Sequence, residues 1–175
     1  GPFLFYVLTE WSANGATVVG FFSKEKESFL NYNLSCIVTL PHHQRKGYGR
    51  LMIDFSYLLS RREGKIGTPE KPLSNLGLMS YRRYWAEVII DYLDGHSDDS
   101  ISLQNISQKT GVNLHDIIST MQSLNMIKYW RTKHVLVKRS DLHGEYAKKK
   151  ESGGRTAIEE KLLRWTPLVT RATTR

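Results

Sequence analysis

The sequence predicts a mixed α/β domain of the α+β kind, and three observations carry that prediction. Strand-like apolar stretches crowd residues 3–40. Stretches with helix periodicity follow over residues 48–124. Residues 102–137 then read as helix, turn, helix and hairpin, which is a winged-helix pattern.

The elements follow in order. Residues 3–9 are apolar and aromatic, as a buried strand requires. Ser12-Ala13-Asn14-Gly15 signals a turn, and Ala16 to Phe22 is the return strand of a hairpin. Ser23 to Ser28 is charged and reads as a solvated connection. Tyr32 to Leu40 is the next strand, with Leu34, Cys36, Val38 and Leu40 on one face. Pro41 lacks an N–H and ends the ladder. Together these strands make an antiparallel meander.

A helix is expected from Tyr48 to Arg62, with Leu51, Phe55, Leu58 and Leu59 on one stripe and Arg61 and Arg62 at its C-terminal end. A stretch rich in Gly and Pro follows, and two prolines stiffen the loop around Glu70-Lys71. Ser80 reads as the cap of a second helix, whose stripe is Tyr81, Tyr84, Trp85, Val88, Ile89, Tyr92 and Leu93. Asp94-Gly95 ends it, and 96–100 reads as a polar linker. Ser102 to Thr110 forms a short helix stopped by Gly111. Asn113 caps a longer one bearing Leu114, Ile117, Ile118, Met121 and Leu124. Lys128–Trp130 and His134–Val137 pair as a hairpin. From Gly144 periodicity is lost, save for a helical stretch around Ile158 to Leu163, and the end from Thr166 reads as frayed.

Composition narrows the function. The 175 residues suit one domain, or one domain and a small module. Apolar content is 40% and charged content 24%, the balance of a water-soluble globular chain. No apolar run is long enough to span a membrane, and no charged-then-apolar leader suggests secretion. Cys36 is the one cysteine, which excludes an intramolecular disulfide or a cysteine zinc site and suggests a reducing compartment. A net charge of +8 favours an anionic partner: nucleic acid, phosphate or a polyanionic cofactor. Opening at once on strand-like Phe3–Leu8, the chain reads as a piece of a longer polypeptide.

The chemistry gathers around Gln44-Arg45-Lys46-Gly47-Tyr48-Gly49-Arg50. A strand runs into this loop and a helix runs out of it, an arrangement that presents free backbone N–H groups to a phosphate. The glycines allow close approach, and Arg45, Lys46 and Arg50 add charge. An ordinary turn is the plainer reading of Gly-x-Gly alone. Glu70 is either a surface glutamate or a general base, since an acceptor lysine must lose a proton before it attacks. Cys36 is either an acyl-carrying nucleophile or a small core residue, and its apolar strand face with Leu34 and Val38 favours the core. The helix after Asn113 exposes His115, Ser119, Gln122, Ser123 and Asn125 but no Arg or Lys, so it reads as a packing module more than a DNA reader. His42-His43 reads as loop, because no ligand cluster accompanies it.

Taken together, these residues resemble the catalytic domain of the MYST family of histone acetyltransferases. The resemblance rests on FLFYVLT at 3–9, GFFSKEKE at 20–27, NLSCIVTLP at 33–41, QRKGYG at 44–49, DFSYLL at 54–59, GTPEKPLSNLG at 67–77, SYRRYW at 80–85, DIISTMQSL at 116–124 and LRWTP at 163–167. It covers nearly the whole chain.

The resemblance implies a GNAT-like acyl-CoA transferase core with a winged-helix or helix-turn-helix-like C-terminal segment. It implies acetyl transfer from acetyl-CoA to histone-tail lysines. Glu70 would be the general base, with Cys36 beside the acetyl group as nucleophile or packing neighbour. Ile37, Val38 and Thr39, the loop Gln44, Arg45, Lys46, Gly47, Tyr48, Gly49 and Arg50, and Ser74 would contact the CoA. Ser60-Arg61-Arg62-Glu63 looks most like the branch acting in MOZ- and HBO-type complexes. Asn75 stands where the family usually has Asp, and Arg83 where it usually has a small residue. No metal is expected within this chain, since the family's zinc finger would lie upstream.

The expected division is a cofactor-binding core at 1–95, a helix-turn-helix-like segment at 96–143 and a basic tail at 144–175. Expected partners are histone tails or the nucleosome and the subunits of an acetyltransferase complex, in the nucleus. No membrane partner is expected, and direct DNA contact is the weaker expectation. A winged-helix nucleic-acid-binding protein and a non-catalytic chromatin scaffold are the rival readings.

Overall fold

The computed structural model describes every residue except 97–100, 132, 138, 152–155 and 169–175. The linker read at 97–100, the hairpin turn at Thr132, the glycines at 153–154 and most of the frayed end therefore lie outside the described residues. The architecture is mixed α/β, and it forms two compact units. The first is Gly1–Lys71 with Ala157–Arg175, and the second is Pro72–Thr156.

In the first unit, β1 (Phe3–Ser12) and β2 (Gly15–Glu25) form the expected hairpin, with one register shift between Leu8 and Thr9. Alternation places Tyr6 and Phe22 inward, stacked at 4.9 Å between ring centroids. The span Tyr32 to Leu40 is not one strand. It divides into β3 (Tyr32–Leu34) and β4 (Ile37–Thr39). β4 pairs antiparallel with β2 and ends a sheet of order β1-β2-β4. β3 instead pairs in parallel with β5 (Thr68–Pro69).

α1 (Tyr48–Arg62) has its expected bounds. It lays Met52 and Leu59 on a core that also holds Phe22 and Leu34, with Tyr6, Leu8, Ile37, Phe55 and Trp165 packed around it. The strand β2 runs on to Glu25, so Ser23 and Lys24 are buried rather than solvated. Lys24 is stabilised there by an ion pair with Glu63 at the end of α1.

In the second unit, α2 runs from Asn75 to Asp94, six residues longer at its start than expected. Its N-cap is Ser74, whose Oγ accepts from the Gly77 N–H at 3.1 Å. Ser80 sits within the helix and donates to the Leu76 carbonyl. α2 packs against α3 (Leu103–Thr110), α4 (Leu114–Ser123) and α5 (Ser140–Glu151). The strands β6 (Ile127–Trp130) and β7 (Lys133–Leu136) form an antiparallel hairpin. α5 occupies a stretch expected to be irregular. Its anchors are an ion pair between His143 and Asp94 and a two-contact pair of Arg139 with Asp141 near its start. The helix Ile158–Leu163 is reduced to a 3₁₀ turn, Glu160–Leu162, in the first unit.

Candidate active site

The glycine loop begins where β4 ends. Pro41–His43 makes a 3₁₀ turn, Arg45 takes a left-handed φ of 61°, and Gly47 takes one of 90°. Such a φ is strained for Arg45 and free for Gly47. Gln44 fixes the loop to the strand, its Nε2 donating to the Thr39 carbonyl at 3.1 Å. The first intrahelical bond of α1 runs from the Leu51 N–H to the Gly47 carbonyl. The N–H groups of Tyr48 and Gly49 therefore have no acceptor within the helix. No side chain caps this end, and its first turn carries no acid. Arg45 and Lys46 are exposed beside it, while Arg50 lies 3.8 Å from Asp54. The end of α1 thus offers donors and positive charge to an anion.

β4 supplies a second recognition surface. Cys36 and Leu40 bond to Ser23 and Val19 of the β2 side. By antiparallel alternation the backbone groups of Val38 also face β2, and those of Ile37 and Thr39 face the outer edge of the sheet. That edge carries no further strand among the described residues. It can bind an extended amide-bearing chain as a strand would. Val38 presents only its side chain there, and the residue is 41% exposed.

The parallel pair ties the Glu70 backbone to the segment that leads into Cys36. β5 places the Glu70 N–H on the Leu34 carbonyl at 2.9 Å, two residues before Cys36. Nothing in the sequence signals this pairing, because β5 is two residues long and ends in proline. Both side chains are exposed. The core reading of Cys36 is therefore overturned. Ser74 lies in the second unit, at the start of α2. His43 is buried and packs edge-on to the Tyr48 ring at 6.1 Å. Among the described residues no group of three His, Cys, Asp or Glu side chains can hold a metal.

Two residues that shape the site carry no sequence signal. Ser23 bonds to both Ser35 and Cys36. Gly20 lets β4 close on β2, since a Cβ there would lie 2.4 Å from the Val38 carbonyl oxygen.

The model of the family described as MOZ/SAS matches residues 1–163. The chain belongs to the MOZ/SAS family. This MOZ/SAS chain is 49% identical over 169 residues to histone acetyltransferase KAT6B of Mus musculus, across 96% of its own length and 9% of that protein. It is 46% identical over 168 residues to histone acetyltransferase ESA1 of Yarrowia lipolytica, covering 96% of itself and 36% of the relative. For ESA1 of Kluyveromyces lactis the identity is 48% over 168 residues, covering 96% and 38%. The chain thus spans less than two-fifths of each of these relatives.

Proposed function

We propose that this chain is the catalytic region of a protein-lysine acetyltransferase that carries acetyl from acetyl-CoA to the ε-amino group of histone-tail lysines. One observation carries the reading. The β3–β5 pair brings Glu70 beside the Cys36 segment, at the start of an open strand edge that leads into an anion-ready helix end. Membership of the MOZ/SAS family and the names of the relatives support it. The finer fold reading is a GNAT-like core with a winged-helix segment, which the order α3, α4, β6, β7 supports.

The residues present fit the donor. The N–H groups of Tyr48 and Gly49, with Arg45 and Lys46, suit the pyrophosphate. The Ile37 and Thr39 edge suits the amides of the pantetheine arm. Acetyl-CoA supplies a thioester carbonyl as electrophile. Glu70, exposed and held at its backbone, takes a proton from the lysine ammonium. The freed amine attacks the carbonyl carbon, a C–N bond forms, the C–S bond breaks with its electron pair on sulfur, and the surplus proton on nitrogen passes to that sulfur to release the free thiol. Where Cys36 takes the acetyl group first, the same balance holds over two thioester steps.

On this reading the partners are histone tails in the nucleosome and the subunits of an acetyltransferase complex, and the protein works in the nucleus. α4 supports direct DNA contact poorly, since it has no Arg or Lys. Histone-peptide acetylation and calorimetric titration with CoA test the proposal. Glu70→Gln should lower kcat by about 10²-fold or more with CoA affinity unchanged. Wild-type turnover in that variant would remove Glu70 as the base. Residual turnover in Cys36→Ala would exclude an obligatory acetyl-cysteine.

A further inference from the structure

We propose that Ser23 is the positioning residue of Cys36, acting as the clamp of a β-bulge that turns the thiol out of the core. Three hydrogen bonds carry this. The Ser23 N–H donates to the Cys36 carbonyl at 2.9 Å, and the Ser35 N–H donates to the Ser23 carbonyl at 2.8 Å. One residue of β2 therefore opposes two residues of the neighbouring chain, which is the definition of a bulge. A bulge leaves one extra N–H without a ladder partner. Here that group is the Cys36 N–H, and it donates to Ser23 Oγ at 3.1 Å. Ser23 is only 3% exposed, so no bulk water competes for these bonds.

The bulge changes the phase of the side chains. Strict alternation would put Leu34 and Cys36 on one face. With two residues where one would fit, Leu34 and Ile37 both reach the core, and Cys36 is turned outward. Without the hydroxyl, the bulge loses the bond that satisfies its surplus N–H. The regular ladder then competes, and in that ladder Cys36 lies on the buried face. The geometry stands independently of the enzymatic reading. The consequence for turnover rests on that reading, because only there does the thiol lie beside the acetyl group.

The single cysteine makes the test selective. Native labelling with Ellman's reagent reads Cys36 alone. Ser23→Ala should slow labelling by about threefold or more. Ser35→Ala is the control, since the Ser35 hydroxyl is buried without a partner among the described residues. It should label as the wild type does. In acetyl transfer, Ser23→Ala should lower kcat by about tenfold with the KM for acetyl-CoA unchanged, and Ser23→Thr, which keeps the hydroxyl, should recover most of it. Equal labelling of Ser23→Ala and wild type, at matched far-ultraviolet dichroism, would overturn the proposal. Should Ser23→Ala fail to fold, amide exchange of the wild type decides. A protected Cys36 N–H supports the clamp, and one that exchanges as an open loop does sinks it. If the labelling contrast holds while histone peptides are not acetylated, the positioning stands and the enzymatic reading fails.

Discussion

At the scale of the residue, burial and partnering decide roles that residue type leaves open. Lys24 lies in a run of charges, yet it is buried against Glu63, so its neighbours in sequence mislead. Tyr81 shows the opposite case. Its ring belongs to the predicted apolar stripe of α2, and its hydroxyl is buried with no hydrogen-bond partner among the described residues. Burial pushes its phenol far above the ordinary range, and the charge of Asp116 adds to that. A buried hydroxyl without a partner costs free energy. Tyr81→Phe should therefore be neutral or stabilising by up to about 1 kcal/mol, read from urea unfolding. A loss of similar size would show that the hydroxyl has a partner in solution.

At the scale of the element, two contacts fix what periodicity alone cannot. β4 lies close enough to β2 that Gly20 has no room for a side chain. Gly20→Ala should cost about 2 kcal/mol or more and weaken CoA binding, since it pushes away the strand that carries Ile37 and Thr39. A thermal melt and a CoA titration of the same variant check both effects. α5 depends on its start. The hydrogen bonds from Arg139 hold the Asp141 carboxyl down at about 2, below its ordinary value of 3.8. A lowered folded-state value means the pair stabilises above the unfolded pKa and is lost as pH falls through the folded one. The window is therefore between about pH 4 and pH 2. A side-chain NMR titration should place the Asp141 midpoint near 2. A midpoint near 4 would show that the pair does not hold in solution.

At the scale of the whole molecule, the chain crosses to a second unit at Pro72 and returns to the first at Ala157. The returning segment is fastened to the first unit by three side-chain links. Glu160 pairs with Arg62 at 3.1 Å and lies 3.7 Å from Arg61, and Trp165 Nε1 donates to the Tyr6 hydroxyl at 3.2 Å. Trp165 also packs against the core of that unit. The exposed ion pairs contribute little, so the indole is the anchor. Trp165→Ala should destabilise the protein by about 2 kcal/mol, while Glu160→Ala should change it by less than about 0.5 kcal/mol. Chemical denaturation of both variants checks the ranking.

Sequence alone determined the mixed α/β class, the helix Tyr48–Arg62, the glycine loop before it and the family resemblance. Each of these is written in local periodicity, in turn residues or in contiguous motifs. Tertiary structure decided the start of α2, the existence of α5 and the break between β3 and β4. The last two go with partners far along the chain: Asp94 for His143 in α5, and Ser23 for the bulge between β3 and β4. The candidate site divides in the same way. The glycine loop is contiguous, so its residues and the helix it opens can be read from the sequence. The exposure of Cys36 goes with one surplus N–H in a ladder that no period-2 pattern records, and the tie of Glu70 to Leu34 goes with a parallel pair too short to leave a pattern.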